Sequence, residues 1–334
     1  MKFKKLFVLL VLLLSFLLVI GVFLWWRNVS TPVSSSEETI DFLIVRGKSA
    51  SQIGELLYQK GLIKSPLAFK FYVQLTGRSD KIQAGEFRLS YSYTLEEIVE
   101  ALSGLPLELW TTIPEGLRRE EVVERFIDGL EKQDQEAIGF REEFLKASDS
   151  LEGYLFPDTY LFPREVKASN VVSAMKNTFD QKITEIGNNY PEGFSQEDIV
   201  ILASLIEREA LTKEERPIIA GILYNRLKNN WPLQVDAAIQ YAVGSASCQM
   251  LNAKCDNWWP ILTKEDLEID SLYNTYKYPG IPPTPISNPG FESLKAAASP
   301  VPSDYFFYIH ADGKIYYAKT LEEHNSNVKK YLGK

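Results

Sequence analysis

Hydrophobic positions along this chain follow two regimes. Leu6 to Trp26 form one apolar run, LFVLLVLLLSFLLVIGVFLWW, interrupted only by Ser15 and Gly21. As a helix it would reach about 30 Å, the thickness of a bilayer's hydrocarbon core, so it predicts a membrane span. Beyond it, apolar residues alternate with polar ones at helical or strand spacing. Asn28 to Thr39 (NVSTPVSSSEET) is rich in Ser, Thr and Pro and predicts a linker. Ile40–Val45 is strand-like, Ser49–Leu62 carries helical periodicity through Ile53, Leu56 and Leu57, and Pro66–Leu75 suggests a second helix with Pro66 in its first turn. Gly85–Ser90 alternates like a strand, and Thr94–Leu102 predicts a third helix, with Thr94 and Glu97 at capping-box spacing.

The remainder mixes both patterns. Trp110–Pro114 predicts a strand that opens a larger domain, followed by helices over about Arg119–Leu130, Ala168–Ile186, Gln196–Leu211 and Pro217–Lys228. Tyr305–His310 and Ile315–Ala318 alternate around Asp312-Gly313, a strong hairpin signal. Strands and helices are segregated rather than alternating as βαβ units, which predicts an α+β class. The expected organisation is a cytoplasmic N-terminus and span over 1–27, a linker over 28–39, a small βααβ module over 40–107 and a larger mixed α+β domain over 108–334. About 295 residues follow the linker, too many for one typical core.

Charge orients the span. Lys2, Lys4 and Lys5 precede it and only Arg27 follows closely, so the positive-inside bias places the N-terminus in the cytoplasm. The run is longer than a signal-peptide core, and WWRNVSTP offers no small-residue cleavage pattern, so an uncleaved single-pass anchor in the cell membrane is expected, with everything after it extracytoplasmic. The formal charge of the chain is −8, and without the four basic residues of positions 1–27 the rest carries −12. That argues against nucleic acid as a partner, which needs a basic face. Cys248 and Cys255 lie close together outside the membrane, where a disulfide is chemically allowed. Two cysteines and two scattered histidines do not make a zinc site, and no metal or cofactor is expected.

The candidate chemistry lies on FSQEDIVILASLIEREALTKEERP. Ser195 and Asp198 form an N-cap signature, and the helix that follows is apolar nearly all round, so it should be buried. Its last turns nonetheless carry Glu207, Arg208 and Glu209. A carboxyl against apolar walls has its pKa raised, which is what a general acid at neutral pH requires. The plainer alternative is a helix emerging from the core with solvated charges at its end. At about 100° per residue, Glu207 and Glu209 flank the buried face on opposite sides, and periodicity does not choose between them. Downstream, Leu223–Leu227 (LYNRL), Trp231–Asp236 (WPLQVD), Tyr273–Tyr276 (YNTY) and Gly280–Gly290 (GIPPTPISNPG) gather Tyr, Asn, Gln and Asp on loops. Such residues suit a sugar-binding groove, the Pro-rich stretch being a rigid extended wall. A proline-stiffened loop surface would show the same composition.

At these residues the chain resembles the YceG-like family, the endolytic murein (peptidoglycan) transglycosylases of bacteria. The motifs are Glu152–Tyr160 (EGYLFPDTY), Ala203–Glu209 (ASLIERE), Tyr224–Leu227 (YNRL), Pro232–Asp236 (PLQVD), Tyr273–Tyr276 (YNTY), Ser287–Gly290 (SNPG), Ser293–Ala297 (SLKAA) and Glu323–Asn325 (EHN). Each is weak alone, and eight in order are specific. The order strand, helix, helix, strand over 40–107 is also that of a LysM module, a type that binds N-acetylglucosamine-containing glycans. The resemblance implies peptidoglycan glycan strands as substrate and cell-wall synthases of the same membrane as partners. It places the catalytic glutamate in the Ala203–Glu209 segment, expected here at Glu207 with Glu209 in reserve, and Asn225, Gln234, Asp236, Tyr273, Asn274 and Tyr276 along the cleft. The chain departs from the family pattern at Leu233–Ala238 (LQVDAA) and at Pro282–Ile286 (PPTPI), and Ser245–Trp259 looks like a local insertion.

The implied reaction is non-hydrolytic cleavage between N-acetylmuramic acid and N-acetylglucosamine. One carboxyl protonates the leaving oxygen, then takes the proton of the muramic acid 6-hydroxyl as that oxygen closes a 1,6-anhydro ring. A muramidase would instead use water and a second carboxylate, for which Asp236 is the candidate. A non-catalytic peptidoglycan-binding scaffold for wall synthesis is the alternative from another class, and it would survive loss of the glutamate.

Overall fold

A computed structural model describes residues 2–45, 47–104, 106–249, 255 and 257–333. Its contacts divide the chain into two compact units, one of Met1–Thr111 with Leu161–Glu165, the other of Thr112–Tyr160 with Val166–Lys334. Both mix helix and strand.

The first unit begins with α1 (Lys2–Val29). Its window Leu12–Val29 is long and apolar enough to cross a membrane, and only 6% of that window is buried in protein. The helix does not end at a free linker. Val29 enters the unit's core, the Trp26 ring stacks on Tyr72, and the Leu95 amide donates to the Ser30 carbonyl. The segment expected as a linker is therefore held against the unit, with the Ser34 amide on the Tyr91 carbonyl and the Lys64 ammonium on the Thr31 hydroxyl.

Beyond this lie β1 (Thr39–Ile44), α2 (Ala50–Gln59), α3 (Pro66–Leu75), β2 (Gly85–Ser90) and α4 (Leu95–Leu102). Each helix starts where the sequence supplies a cap. Ser49 and Gln52 close a capping box on α2, Ser65 caps α3 with Pro66 at its first position, and Thr94 and Glu97 close a second box on α4. β1 and β2 pair antiparallel from Thr39↔Ser90 to Ile44↔Gly85, which turns Phe42, Ile44, Phe87 and Leu89 onto Ile53, Leu57, Phe69, Val73 and Ile98. β3 (Glu108–Thr112) was expected to open the larger domain. It pairs instead with β2, Gly85 facing Leu109, and the sheet order is β1-β2-β3-β4 with β4 at Thr159–Pro163. An isolated strand cannot satisfy its backbone, and the free edge of β2 satisfies it.

The second unit is built on helices α5 (Arg119–Gly129), α6 (Asp134–Ala147), α7 (Ala168–Ile186), α8 (Gln196–Glu209), α9 (Arg216–Lys228), α10 (Asp236–Gln249) and α11 (Phe291–Ala298). α8 is the axis of its core. All eight residues from Ile199 to Ile206 are buried, as an all-round apolar helix demands, and α7, α9, α10 and α11 pack around it. The Ser195–Asp198 capping box starts it. The strap expected as a groove wall is buried against this helix. The Ile286 amide donates to the Ser204 hydroxyl, and the Ser287 hydroxyl donates to the Ser204 carbonyl. Prolines leave the strap few donors of its own, and α8 accepts those of Ile286 and Ser287.

The chain closes with the hairpin β5 (Phe307–Ala311) and β6 (Lys314–Ala318), then α12 (Leu321–Asn327). The two-residue turn has Asp312 at φ 50° and Gly313 at φ 70°, the left-handed pair that a tight hairpin requires. α6, α10, α11 and α12 were not anticipated. Cys248 and Cys255 form a disulfide that ties the end of α10 to the segment carrying Trp258 and Trp259. Positions 250–254 and 256 of the expected insertion lie outside the described residues.

One close approach in this unit is testable. A Cβ at Gly221, in the middle of α9, would strike the Val301 carbonyl, whose residue is held in place by its own amide on Pro217 O. Gly221→Ala is therefore expected to lose about 1–3 kcal/mol despite alanine's better helix propensity. A thermal melt with a midpoint at or above wild type would show that the strand of chain at Val301 simply moves aside.

Candidate active site

α8 delivers its two glutamates to different places. They are two residues apart, so about 200° apart around the axis. Glu207 is pinned. Its Oε1 accepts from Arg216 Nη2 at 2.8 Å, its Oε2 accepts from the Gly290 amide at 3.0 Å, and its side chain is 6% exposed. Gly290 caps the N-terminus of α11, so the carboxyl sits at the positive end of that helix. Arg216 also donates to Glu115 Oε2 at 2.9 Å. Burial pushes the Glu207 pKa up, against the pull of the Gly290 amide and Arg216. Its lone pairs face protein groups that cross-link α8, α9 and α11.

Glu209 opens on a cavity. It is the last residue of α8, and it lines a recess of about 380 Å³ with Arg226, Gln234, Asp236, Tyr276, Tyr308, His310 and His324. That volume lies within the range of small-ligand sites. The Tyr308 hydroxyl donates to Glu209 Oε2 at 2.6 Å. Burial pushes the Glu209 pKa up; the Tyr308 hydrogen bond and the His310 and Arg226 charges oppose this, while Asp236 adds to it. The negative end of the α8 dipole acts in the same upward direction. Burial and the neighbouring Glu209 raise the Tyr308 pKa as well, so its phenol remains a donor.

The other walls come from α9, α10, α12, β5 and the loops of Gln234 and Tyr276. Arg226, on α9, is buried and donates through Nε to the Phe306 carbonyl at 2.8 Å and through Nη1 to the Leu233 carbonyl at 2.6 Å, which fixes β5 and the Gln234 loop relative to each other. Gln234 has φ 52°, an uncommon conformation for this residue, held by its amide on Thr275 O at 3.0 Å. Asp236 begins α10 and accepts the Tyr276 hydroxyl at 2.6 Å. His324, on α12, has its Nδ1 buried without a hydrogen-bond partner among the described residues, and burial, with the Arg226 charge, lowers its pKa.

Of the residues expected from sequence, the cavity brings together Glu209, Gln234, Asp236 and Tyr276. Glu207 lies outside its lining. So do Asn225, whose amide donates to the Ser303 and Tyr305 carbonyls, and Asn274, whose amide donates to Leu267 O and Ile269 O. The Tyr273 hydroxyl is engaged with Thr284 at 2.6 Å. Both asparagines shape the loops that carry their neighbours. Arg226, Tyr308, His310 and His324 were not singled out. Arg226 and His324 sit inside the quoted motifs YNRL and EHN, while Tyr308 and His310 were legible only as alternating strand residues.

The arrangement places one carboxyl biased toward its neutral form beside a second carboxyl, two phenols and an amide, in a recess large enough for a sugar. The pattern of the YceG-like family matches residues 42–330 of this chain. An endolytic murein transglycosylase of Bacillus subtilis is 32% identical to it over 344 residues, 95% of this chain and 91% of that protein. One of Streptococcus pneumoniae is 28% identical over 335 residues, 90% of this chain and 59% of that longer protein. The crystal structure of a YceG-like protein from Listeria monocytogenes is similar with a TM-score of 0.53 and 30% identity, covering 87% of this chain and 99% of that one.

Proposed function

This chain belongs to the YceG-like family, and on that premise we propose that it is a membrane-anchored endolytic transglycosylase of peptidoglycan with Glu209 as its acid and base. The observation that carries the assignment is the position of Glu209 at the wall of a recess that also gathers Gln234, Asp236 and Tyr276.

The protonated Glu209 carboxyl gives its proton to the glycosidic oxygen, and the bond from that oxygen to C1 of N-acetylmuramic acid breaks. The charge developing on C1 is stabilised by the negative field of Asp236, whose orientation the Tyr276 hydroxyl sets. The 6-hydroxyl oxygen of the same sugar bonds to C1, and its proton passes to Glu209, which regenerates the acid. The reaction rearranges the substrate and consumes no water. The nucleophile is part of the substrate, which supplies an entropic advantage. Gln234 and His324 are placed to hydrogen-bond sugar hydroxyls. The first unit after α1 is assigned as a LysM-like glycan-binding module, supported by its βααβ order, and the second as the catalytic domain. The N-terminus is cytoplasmic, and wall synthases of the same membrane are the partner class.

Mass spectrometry of fragments released from purified peptidoglycan by the full chain tests this reading. Ends in 1,6-anhydro-muramic acid are expected. Reducing ends would make the enzyme a muramidase with Asp236 as its second carboxylate, and intact strands would leave a binding scaffold. The pH profile adds a second check. The Glu209 pKa is raised above the ordinary 4.5, and the proton-bearing form is the active one. Activity should therefore persist above the ordinary carboxylate range and fall as pH rises through the raised value. A rate that instead rises with pH across that limb would assign Glu209 a base role from the start.

A further inference from the structure

The outward face of α3 carries a stripe of large apolar residues, with the exposed Gln74 at its edge. Leu67, Phe71 and Leu75 are 54%, 47% and 85% exposed, and their i, i+4, i+8 spacing puts them in one stripe. Opposite them, Phe69 and Val73 are buried in the unit's core, with Ala68 buried at the stripe's edge, so the helix is apolar on both sides. The core needs only the second set. Lys70 lies on the margin of the stripe and Arg78 just past the helix end, both half-buried.

The position of this helix relative to α1 identifies what covers the stripe. Leu6–Trp26 needs most of its length to cross about 30 Å of hydrocarbon, so Trp26 falls at the outer boundary, where interfacial aromatics sit. Its ring stacks on Tyr72 of α3, with centroids 5.7 Å apart and planes 25° from parallel. Tyr72 lies next to Phe71 in sequence and three residues before Leu75, so the stripe starts about 60° around the helix from the ring that touches the span. The attachment is not a hinge. Val29 in the core, Leu95 N on Ser30 O and Lys64 on Thr31 hold the module to the end of α1.

We propose that α3 is an interfacial helix, with Leu67, Phe71 and Leu75 seated in the outer leaflet beside α1 and Lys70 and Arg78 at the level of the lipid phosphates. The module is then docked on the bilayer rather than suspended above it. This rests on the reading of α1 as a membrane span. Helices of this kind bury their apolar face about 5–10 Å below the headgroups. Docking confines the start of the extracytoplasmic region to the membrane surface, where nascent strands emerge.

The test is site-directed spin labelling of the full chain in phosphatidylglycerol-containing vesicles, with single cysteines at Leu67, Phe71 and Leu75 and a reference at Val19 in α1. These α3 side chains are exposed, so the variants should fold; circular dichroism and retained strand cleavage check that. The expected result is relaxation by oxygen and protection from a water-soluble nickel chelate at all three α3 sites, as at Val19. Water-like accessibility at α3 with Val19 in lipid would overturn the docking and leave the anchor standing. Water-like accessibility at Val19 as well would overturn both. Dipolar broadening at Leu75 that vanishes on dilution with unlabelled chain would assign the stripe to a second copy, and so also overturn the proposal.

Discussion

Replacing Glu209 with glutamine is expected to lower strand cleavage by about 10²–10⁴-fold, the usual contribution of a general acid, with the fold intact. The two side chains have nearly equal volume, and the amide oxygen can still accept the Tyr308 hydroxyl now bonded to Oε2. What is lost is the transferable proton. The carboxyl is costly to ionise where it sits, since burial dominates its raised pKa, so the neutral amide should leave the melting temperature unchanged or higher. Glu207→Gln should behave in the opposite way. It removes the anion from the pair with Arg216 and from the Gly290 amide, and among the described residues Arg216 keeps the half-exposed Glu115 as its ion-pair partner. A loss of about 1–3 kcal/mol of stability with residual cleavage is expected. Kinetics and melts on both variants decide the matter. Full activity in Glu209→Gln beside a dead, well-folded Glu207→Gln would return the acid to Glu207.

Asn288→Ala is expected to cost about 3–5 kcal/mol, a large share of a typical domain's stability. Its side chain is 1% exposed and fully engaged. Oδ1 accepts from the Gly153 and Leu155 amides, both at 2.9 Å, and Nδ2 donates to Leu117 O at 3.0 Å and Glu152 Oε1 at 2.9 Å. Alanine would leave the two buried amides without their acceptor, while Leu117 O would keep the backbone amide of residue 288 and Glu152 Oε1 the Arg119 amide. The Glu152 carboxyl is already pushed up to about 8 by burial and by Glu120, so it depends on these partners. Asn288→Asp, similar in shape, would replace a donor to Glu152 with a second acidic group and should be little better at neutral pH. Chemical denaturation followed by far-ultraviolet circular dichroism measures the loss. A change below about 1 kcal/mol would mean that water enters and replaces the lost bonds.

Both substitutions fall on motifs visible in the sequence, yet the motifs did not reveal what each residue does. SNPG, YNRL and YNTY drew attention to asparagines, and the structure uses Asn288, Asn225 and Asn274 to hold loops together. A short polar side chain on a loop has the same composition whether its amide meets a sugar or a backbone carbonyl. Arg226 was not singled out, because nothing local to an arginine near a helix end signals burial. It is in fact buried between Phe306 O and Leu233 O. α10 and α11 were missed because alanine-rich helices buried on several faces carry little periodic contrast.

Local chemistry by itself determined the long apolar helix α1, the capped starts of α2, α3, α4 and α8, the β5–β6 turn and the burial of α8. Each depends on residues within a few positions of one another, so the cause is present in the string. The same local geometry determined that Glu207 and Glu209 diverge. Only the tertiary structure decided which of them meets a cavity. The partners that settle it are Arg216 and Gly290 on one side and Tyr308, Asp236 and Tyr276 on the other. Except for Arg216 on the next helix, these lie tens of residues away, and burial depends on where those elements pack. The pairing of β3 with β2 and the seating of α1 on Tyr72 were decided in the same way, because a strand edge or an aromatic face accepts whichever distant segment the fold brings to it.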